Sequence, residues 1–226
     1  MGSEISKWFS ERFGYEVILV SLGNHSRAVF GSLAPSSPLA LQRSLGTKLY
    51  NYLPFLAPTP ERISFNDLAQ YLIVTRSSTD ELSSRLSDGS KMDVSKFRPN
   101  IVLSGRSPAF DEDFWSEVTI ASSGDDGKKL KMKLTANCYR CQSITVDYRT
   151  GKPAAGDSGL VWKKLVADRR VDKGAKWSPV FGRYSFCRNA DAGVILRVGD
   201  GVKVTGRNAD RTTFDWPGLT TFGLTK

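Results

Sequence analysis

Histidine and cysteine are scarce in this chain of 226 residues, which has a single histidine and three cysteines. An odd number of cysteines cannot pair completely, and no apolar segment follows the polar start at residues 1–4. Both features argue against a secreted disulfide framework and predict a reducing, intracellular compartment. No stretch approaches the ~20 apolar residues that cross a bilayer, so we expect no transmembrane segment.

The same scarcity restricts catalysis and metal binding. His25 is far in sequence from Cys141, so only the fold could bring a Cys-His pair together. Cys138 and Cys141 would need both Cys187 and His25 to complete a tetrahedral zinc site, which disfavours a structural zinc. A thioredoxin-like site is also disfavoured, because a β pattern follows the cysteine pair. No phosphate-binding loop or dinucleotide fingerprint occurs.

Composition predicts one domain over residues 1–226, since 40% hydrophobic content can bury one sizeable core. The net charge of +9 would suit a nucleic acid, an anionic cofactor, an acidic protein or an anionic membrane surface. The basic residues are scattered, with small clusters at 128–131 and 163–170, and aromatic residues are not interleaved with them. We therefore expect a solvated basic surface and no nucleic-acid partner.

Local patterns predict two helices in the N-terminal half. Ser3 as N-cap and apolar residues at helical spacing predict a helix over residues 4–13. Ser78 and Glu81 form a capping-box pattern for a helix that ends near residues 88–89. Residues 33–60 contain five prolines and no sustained periodicity, which predicts a long loop.

The rest of the chain is rich in short strand patterns separated by turn residues, with one helix predicted over residues 160–167. This pattern favours an α+β, mainly β fold, in which a closed or half-closed barrel removes exposed strand edges. The predicted strands are residues 17–20, 72–75, 101–103, 114–120, 130–136, 143–146, 180–186, 194–198 and 202–204.

Two junctions between elements could bind an anion. Thr75, Ser77 and Ser78 connect a strand to a helix N-terminus, where hydroxyls and free N–H groups either contact a ligand or simply cap the helix. Arg98 and Asn100 precede the strand at residues 101–103. Arg98 could clamp a phosphate or pair with a surface carboxylate such as Asp93, while the Asn100 amide could bond a heterocycle.

The segment from Asn137 to Cys141 is the most informative part of the sequence. Arg140 precedes Cys141, and a fixed positive charge favours the thiolate form of a neighbouring cysteine. A thiolate is a soft ligand that suits thiophilic metals rather than magnesium or calcium. Cys138 has three readings that the sequence leaves open: a spare thiol, an oxidation partner of Cys141, or a buried small residue.

Four ordered motifs carry a resemblance to a known family. They are residues 92–94 with 97–102, residues 140–141 with 145–147 and 150–151, residues 178–182, and residues 198–200. Their order and spacing resemble the MOSC domain, most closely the branch that contains the mitochondrial amidoxime-reducing component and its fungal relatives. The same domain forms the C-terminal part of molybdenum cofactor sulfurase.

The resemblance implies a MOSC-type β-barrel with a few flanking helices, and core motifs over about residues 64–205. It implies a molybdenum-pterin cofactor, with Cys141 as the metal ligand and catalytic residue. Arg98 and Asn100 match the cofactor-contacting Arg-Pro-Asn of the family, Thr75 and Ser78 fall in its cofactor-touching segment, and Arg140 would be a supporting charge. Pyridoxal phosphate binding is associated only with the family as a whole, and no motif of this chain is assigned to it.

The resemblance also implies a function. The chain would belong to a molybdenum-dependent oxidoreductase that reduces small N-hydroxylated substrates, with electrons from NADH through a reductase and a b-type cytochrome. The alternative is a non-catalytic cofactor-binding, carrier or sulfur-transfer module. We expect the family's N-terminal β-barrel domain to be absent, or supplied by a separate partner, and the chain to lie in the cytoplasm or on the mitochondrial outer surface.

Overall fold

The computed structural model describes residues 2–37, 61–124, 127–188, 191–216 and 220. Within these residues, three α-helices and ten strands are joined by loops and short 3-10 turns. The helices are α1 (Ser3–Phe13), α2 (Arg76–Ser84) and α3 (Val161–Val166). The strands are β1 (Arg27–Ala28), β2 (Arg62–Ile63), β3 (Tyr71–Thr75), β4 (Ile101–Leu103), β5 (Trp115–Ala121), β6 (Lys129–Tyr139), β7 (Val146–Asp147), β8 (Lys152–Pro153), β9 (Val180–Cys187) and β10 (Gly201–Arg207).

One six-stranded sheet organises the molecule, in the order β10-β5-β6-β9-β3-β4. Its strands pair antiparallel except for β3 and β4, which are parallel, and β1-β2 and β7-β8 form two small ribbons. The sheet curls into a half-barrel, so the predicted α+β, mainly β class is confirmed. Within the described residues, no helix is long and apolar enough to cross a membrane.

Apolar side chains form two clusters, one on each side of the sheet. The sheet cluster comes from strands alone and includes Ile73, Val118 and Met132. The helix-side cluster joins the sheet to the helical segments and includes Leu82 and Leu165. Each side of the sheet is therefore covered by its own set of buried residues, as alternating strand side chains require.

An irregularity in β6 transfers its side chains from one cluster to the other. Leu130, Met132 and Leu134 belong to the sheet cluster, whereas Ala136 and Cys138 belong to the helix-side cluster. All five positions are even-numbered and would share a face in a regular strand. The register between β6 and β9 shifts between Leu134 and Ala136, and an extra residue of this kind reverses the faces.

The predicted buried strand over residues 17–20 is wrong. Ile18 and Val20 are 73% and 65% exposed, and this segment is extended without a strand partner in the described chain. Its backbone bonds instead to serine hydroxyls of α1: Val17 N donates to Ser10 Oγ and Leu19 N to Ser6 Oγ. β propensity describes how a side chain packs in a sheet, and no sheet is present here.

Two further strand predictions are corrected. Residues 142–145 form a 3-10 turn, and only Val146–Asp147 pair as a strand. Residues 194–198 form no strand, because Ile195 O accepts from the Ser122 hydroxyl at 2.7 Å rather than from a neighbouring ladder. The predicted buried strand at residues 101–103 exists, but as an edge strand with Val102 37% exposed.

The three predicted helices exist, but the N-caps of α1 and α2 differ from the prediction, and α2 ends at Ser84 rather than near residues 88–89. Gly2, not Ser3, is the N-cap of α1. Thr75 caps α2 by accepting from Ser78 N, so the helix begins at Arg76, before the predicted capping box. The predicted loop over residues 33–60 lies mostly outside the described residues, which stop at residue 37 and resume at residue 61.

A buried carboxylate connects the sheet to the C-terminal segment. Asp172 Oδ2 accepts from Asn137 Nδ2 and from the Tyr139 hydroxyl, both at 2.7 Å. Its Oδ1 accepts from Gly174 N at 2.9 Å and Phe214 N at 3.0 Å. Each oxygen thus accepts two hydrogen bonds, and the Asp172 side chain holds β6 against two loops.

Replacement of Asp172 tests this connection. Asp172→Ala leaves four buried donors without an acceptor, and we expect a loss of about 4 kcal/mol in the free energy of unfolding. Asp172→Asn keeps one acceptor oxygen, so it should lose about half as much. Urea unfolding measures both, with exposed Asp210→Ala as control. Equal stability of Asp172→Ala and the control would contradict this interpretation.

Candidate functional site

Cys141 lies where β6 leaves the sheet, and its side chain is exposed. It is the N-cap residue of the 3-10 turn Gln142–Thr145. A cavity of about 220 Å³ opens beside it. The end of β6, the start of β3 and the turn before β4 therefore meet around one thiol.

Four of the six predicted site residues line this cavity: Arg98, Asn100, Arg140 and Cys141. They come from two segments about 40 positions apart in sequence, yet the fold brings them to one cavity. The other two, Thr75 and Ser78, do not line it. Further lining residues that sequence reasoning missed are Asp67, Lys96, Ser143 and Tyr184.

The pKa of the Cys141 thiol is lowered from its ordinary value, as the sequence predicts, but for a different main reason. The largest cause is the hydrogen bond with Ser143, whose Oγ is 2.9 Å from Sγ. Backbone hydrogen bonds at Ser143 and Cys141 add to it, and the charge of Arg140 contributes least. A hydroxyl two residues downstream thus stabilises the thiolate more than the neighbouring guanidinium does.

Arg140 is buried and acts as a clamp between segments. Its guanidinium donates to Phe181 O from Nε at 3.0 Å and from Nη2 at 2.9 Å, and to Phe97 O from Nη1 at 2.8 Å. Its own carbonyl accepts from Trp162 Nε1 at 2.7 Å. Phe97 precedes Arg98, and Arg140 precedes Cys141. The Arg140 side chain therefore sets the position of Arg98 relative to the Cys141 thiol.

Arg98 is held in an uncommon backbone conformation. It ends the 3-10 turn Val94–Phe97 with φ 53°, in the left-handed region that residues other than glycine rarely adopt. Its guanidinium is exposed and has no hydrogen bond or ion pair with the described residues. The alternative pairing with Asp93 is not formed, because Asp93 Oδ1 accepts from Ser95 N instead. Within the described part of the chain, the cation that lines the cavity therefore has no partner.

Asn100 joins the site to the sheet. Its Oδ1 accepts from Leu72 N at 2.8 Å, and its own N donates to Leu72 O at 2.9 Å. The side chain thus extends the parallel pairing of β3 and β4 by one step. Its Nδ2 has no partner among the described residues, which leaves an amide donor available for a ligand.

Thr75 and Ser78 hold a buried carboxylate. Ser78 Oγ donates to Glu112 Oε1 at 2.7 Å and accepts from Phe110 N at 2.7 Å, and Thr75 Oγ1 lies 3.1 Å from both Glu112 oxygens. Burial raises the pKa of Glu112. Both hydroxyls are buried and already used, so the structure supports the capping alternative.

Cys138 lies at the back of the same cavity. It is 3% exposed and belongs to the helix-side cluster, and burial raises the pKa of its thiol. Tyr184, which interacts with Cys138, donates to Asp67 Oδ2 at 3.3 Å. Sequence spacing carried no signal for Asp67 or Tyr184, because only the pairing of β9 with β3 brings them near.

The described part of the chain contains no group of three histidine, cysteine or carboxylate residues that could hold a metal ion. His25 is exposed and does not line the cavity. The site can therefore supply one reactive thiolate, a free cation and an amide donor, but not a complete set of protein ligands.

Removal of the Ser143 hydroxyl should make the Cys141 thiol less reactive near neutral pH. The thiolate is the species that alkylates, and Ser143→Ala removes the main group that favours it. The pH profile of Cys141 alkylation by iodoacetamide, followed by peptide mass spectrometry, should then shift to higher pH. Thr145→Ala, in the same turn but not bonded to the thiol, is the matched control. Overlapping profiles of Ser143→Ala and parent would contradict this prediction.

Several known proteins are similar to this chain in sequence. The mitochondrial amidoxime-reducing component 1 of Homo sapiens is 32% identical over 151 residues, which cover 65% of this chain and 40% of that protein. The mitochondrial amidoxime reducing component 2 of Rattus norvegicus is 34% identical over 149 residues, covering 62% and 38%. Molybdenum cofactor sulfurase of Bos taurus is 30% identical over 161 residues, covering 67% and 15%.

The chain thus spans about 40% of the length of the amidoxime-reducing relatives and less of the sulfurase. The family model of the MOSC domain matches residues 60–203, which include every residue that lines the Cys141 cavity. Because this match covers more than half of the chain, the protein belongs to the MOSC domain family.

Proposed function

We propose that this chain binds a molybdenum-pterin cofactor, with Cys141 as the protein ligand of the metal. The observation that carries the proposal is an exposed thiol of lowered pKa beside a cavity lined also by Arg98, a cation that has no partner among the described residues. The names of the relatives, an amidoxime-reducing component and a molybdenum cofactor sulfurase, support it.

The donor set fits this group. A thiolate is a soft ligand suited to a thiophilic metal, and the described residues contain no group of three ligands that could complete a metal site around it. A cofactor that brings its own sulfur ligands needs only one from the protein. Lys96 and Arg98 line the same cavity and would attract a phosphate group.

The residues of this chain would have distinct roles at the cofactor. Cys141 would hold the metal, Arg98 would bind the phosphate side, and the Nδ2 group of Asn100 would donate to the heterocycle. Arg140 would keep Cys141 and Arg98 at a fixed separation through Phe97 O and Phe181 O. When bound, the cofactor supplies two-electron oxygen-atom chemistry that no side chain provides.

We propose the reduction of small N-hydroxylated compounds as the reaction. The N–O bond breaks, two electrons and two protons are taken up, and the products are the N–H compound and water. The electrons would come from NADH through its reductase and a b-type cytochrome. The proposed location is the cytoplasm or the mitochondrial outer surface. Pyridoxal phosphate forms no part of this proposal.

A second candidate is a non-catalytic cofactor-binding, carrier or sulfur-transfer module. The match to molybdenum cofactor sulfurase favours it, because that protein is named for the transfer of sulfur to the cofactor. An exposed thiolate at Cys141 could also accept a sulfur atom from a persulfide donor. The two candidates share the cavity and differ in what happens at Cys141.

Metal content tests whether the chain binds the cofactor through Cys141. After expression in a host that makes the cofactor, we expect near-stoichiometric molybdenum in the parent and less than about a tenth of it in Cys141→Ala, since the thiolate is the protein ligand. Cys138→Ala removes a thiol from the same cavity and should keep the metal. Elemental analysis of the purified proteins gives the result. Metal-free parent protein, or equal metal in Cys141→Ala, would refute the proposal.

Turnover separates the two candidates. With dithionite as electron donor, the metal-loaded parent should convert an aromatic amidoxime to its amidine, and Cys141→Ala should be slower by about 100-fold or more. Chromatography of the amidine measures the rate. A loaded protein that never turns over, yet forms a Cys141 persulfide with a sulfur donor, would favour the module instead.

A further inference from the structure

A second cavity, of about 540 Å³, lies in the opening of the half-barrel. β4 and β10 are the two edges of the six-stranded sheet, and residues of both line this edge cavity. Its apolar lining residues include Ile101 and Leu103 of β4, Ile120 of β5, Val202 of β10, and Leu196. Its volume falls within the range of about 300–1,000 Å³ that is usual for small-molecule sites.

The wall formed by residues 194–200 is fixed in place. The Ser122 hydroxyl donates to Ile195 O at 2.7 Å. Asp200 Oδ1 accepts from Ser123 N at 3.0 Å and from its hydroxyl at 2.6 Å, and Asp200 Oδ2 accepts from Arg197 N at 2.8 Å. The carboxylate that faces this region is thus already satisfied, and the cavity is formed without a ligand.

The edge cavity leads toward the Cys141 cavity. A third cavity, of about 300 Å³, shares Asn100, Ile101 and Leu196 with the edge cavity, and shares Asn100 and Tyr71 with the Cys141 cavity. Asn100 lines all three, and its Nδ2 group is without a partner in the described chain. A molecule with an apolar body in the half-barrel would therefore have its polar end at Asn100, next to the proposed metal site.

We infer that the edge cavity binds the apolar part of a small, elongated, uncharged molecule whose hydrogen-bonding head reaches Asn100. Only the identity of the head group, an N-hydroxylated nitrogen, rests on the proposed function. Two charged residues, Arg197 and Asp200, also line the cavity, and the Asp200 carboxylate is already hydrogen-bonded. The apolar residues of the lining favour an uncharged body. Each methylene group buried from water strengthens such binding about fourfold.

Binding of the neutral fluorescent probe N-phenyl-1-naphthylamine tests the inference. We expect saturable binding of one probe per chain, and at least tenfold weaker binding by Leu196→Trp, which fills the wall shared by two cavities. Ile195→Trp, on the exposed neighbouring side chain that lines neither cavity, is the matched control and should bind as the parent does. Thermal unfolding of each variant shows whether it is folded.

Competition identifies the class of ligand. A dodecyl amidoxime should displace the probe at a concentration at least tenfold lower than acetamidoxime does, because its chain enters the apolar cavity. Absence of saturable binding, or equal binding by folded Leu196→Trp and Ile195→Trp, would overturn the inference. Equal potency of the two amidoximes would overturn it as well.

The outcome is separable from that of the proposed function. Cys141→Ala should bind the probe as the parent does, since the thiol does not line the edge cavity. Probe binding in a protein without molybdenum would leave the cavity supported and the cofactor proposal refuted. Stoichiometric molybdenum without probe binding would support the cofactor proposal and overturn the inference about the edge cavity.

Discussion

The hydrogen bonds of the buried Arg140 guanidinium are the interaction on which the site depends. They reach the carbonyl groups of Phe97 and Phe181, one beside Arg98 and the other in β9. Carbonyl oxygens are weaker partners than a carboxylate, but several together satisfy a planar fork of donors. A lysine could not replace it, because a single ammonium has no such fork. The same side chain therefore stabilises the core and aligns the thiol with the cation.

The shift in β6 is the second constraint. Without it, Cys138 would share the face of Met132, inside the sheet cluster, and the end of the strand would present other residues to the cavity. The buried Thr135 hydroxyl, which lies in the shifted stretch, has no hydrogen-bond partner in the described chain. The irregularity and the unsatisfied hydroxyl are locally destabilising. The same irregularity positions the functional end of β6.

The half-barrel leaves two strand edges, and the residues between them form the apolar opening. β4 has only three residues and β10 is interrupted by register shifts, both of which limit edge-to-edge pairing with another chain. The loop over residues 194–200 covers part of the opening through hydrogen bonds to the β5-β6 hairpin. The result is a partly open cavity, lined in large part by apolar residues, beside a polar site.

The sequence by itself determined most strands of the main sheet, the three helices and the family. β-branched runs such as residues 72–75 and the motif around Cys141 are local signals, readable without partners. Residues 17–20 have the same local signal and form no strand, because pairing is a property of two segments and not of one.

Only the tertiary structure decided which predicted site residues meet. Thr75 and Ser78 are residue types that often bind anions, yet their hydroxyls are hydrogen-bonded to Glu112 from a distant turn. Arg140 does line the site, but its main role differs from the predicted one. Its side chain turns inward to two carbonyl groups, while the hydrogen bond with Ser143 contributes most to the lowered pKa of the Cys141 thiol. Composition and spacing record which groups are available, whereas burial and hydrogen-bond competition determine which remain free to bind a ligand.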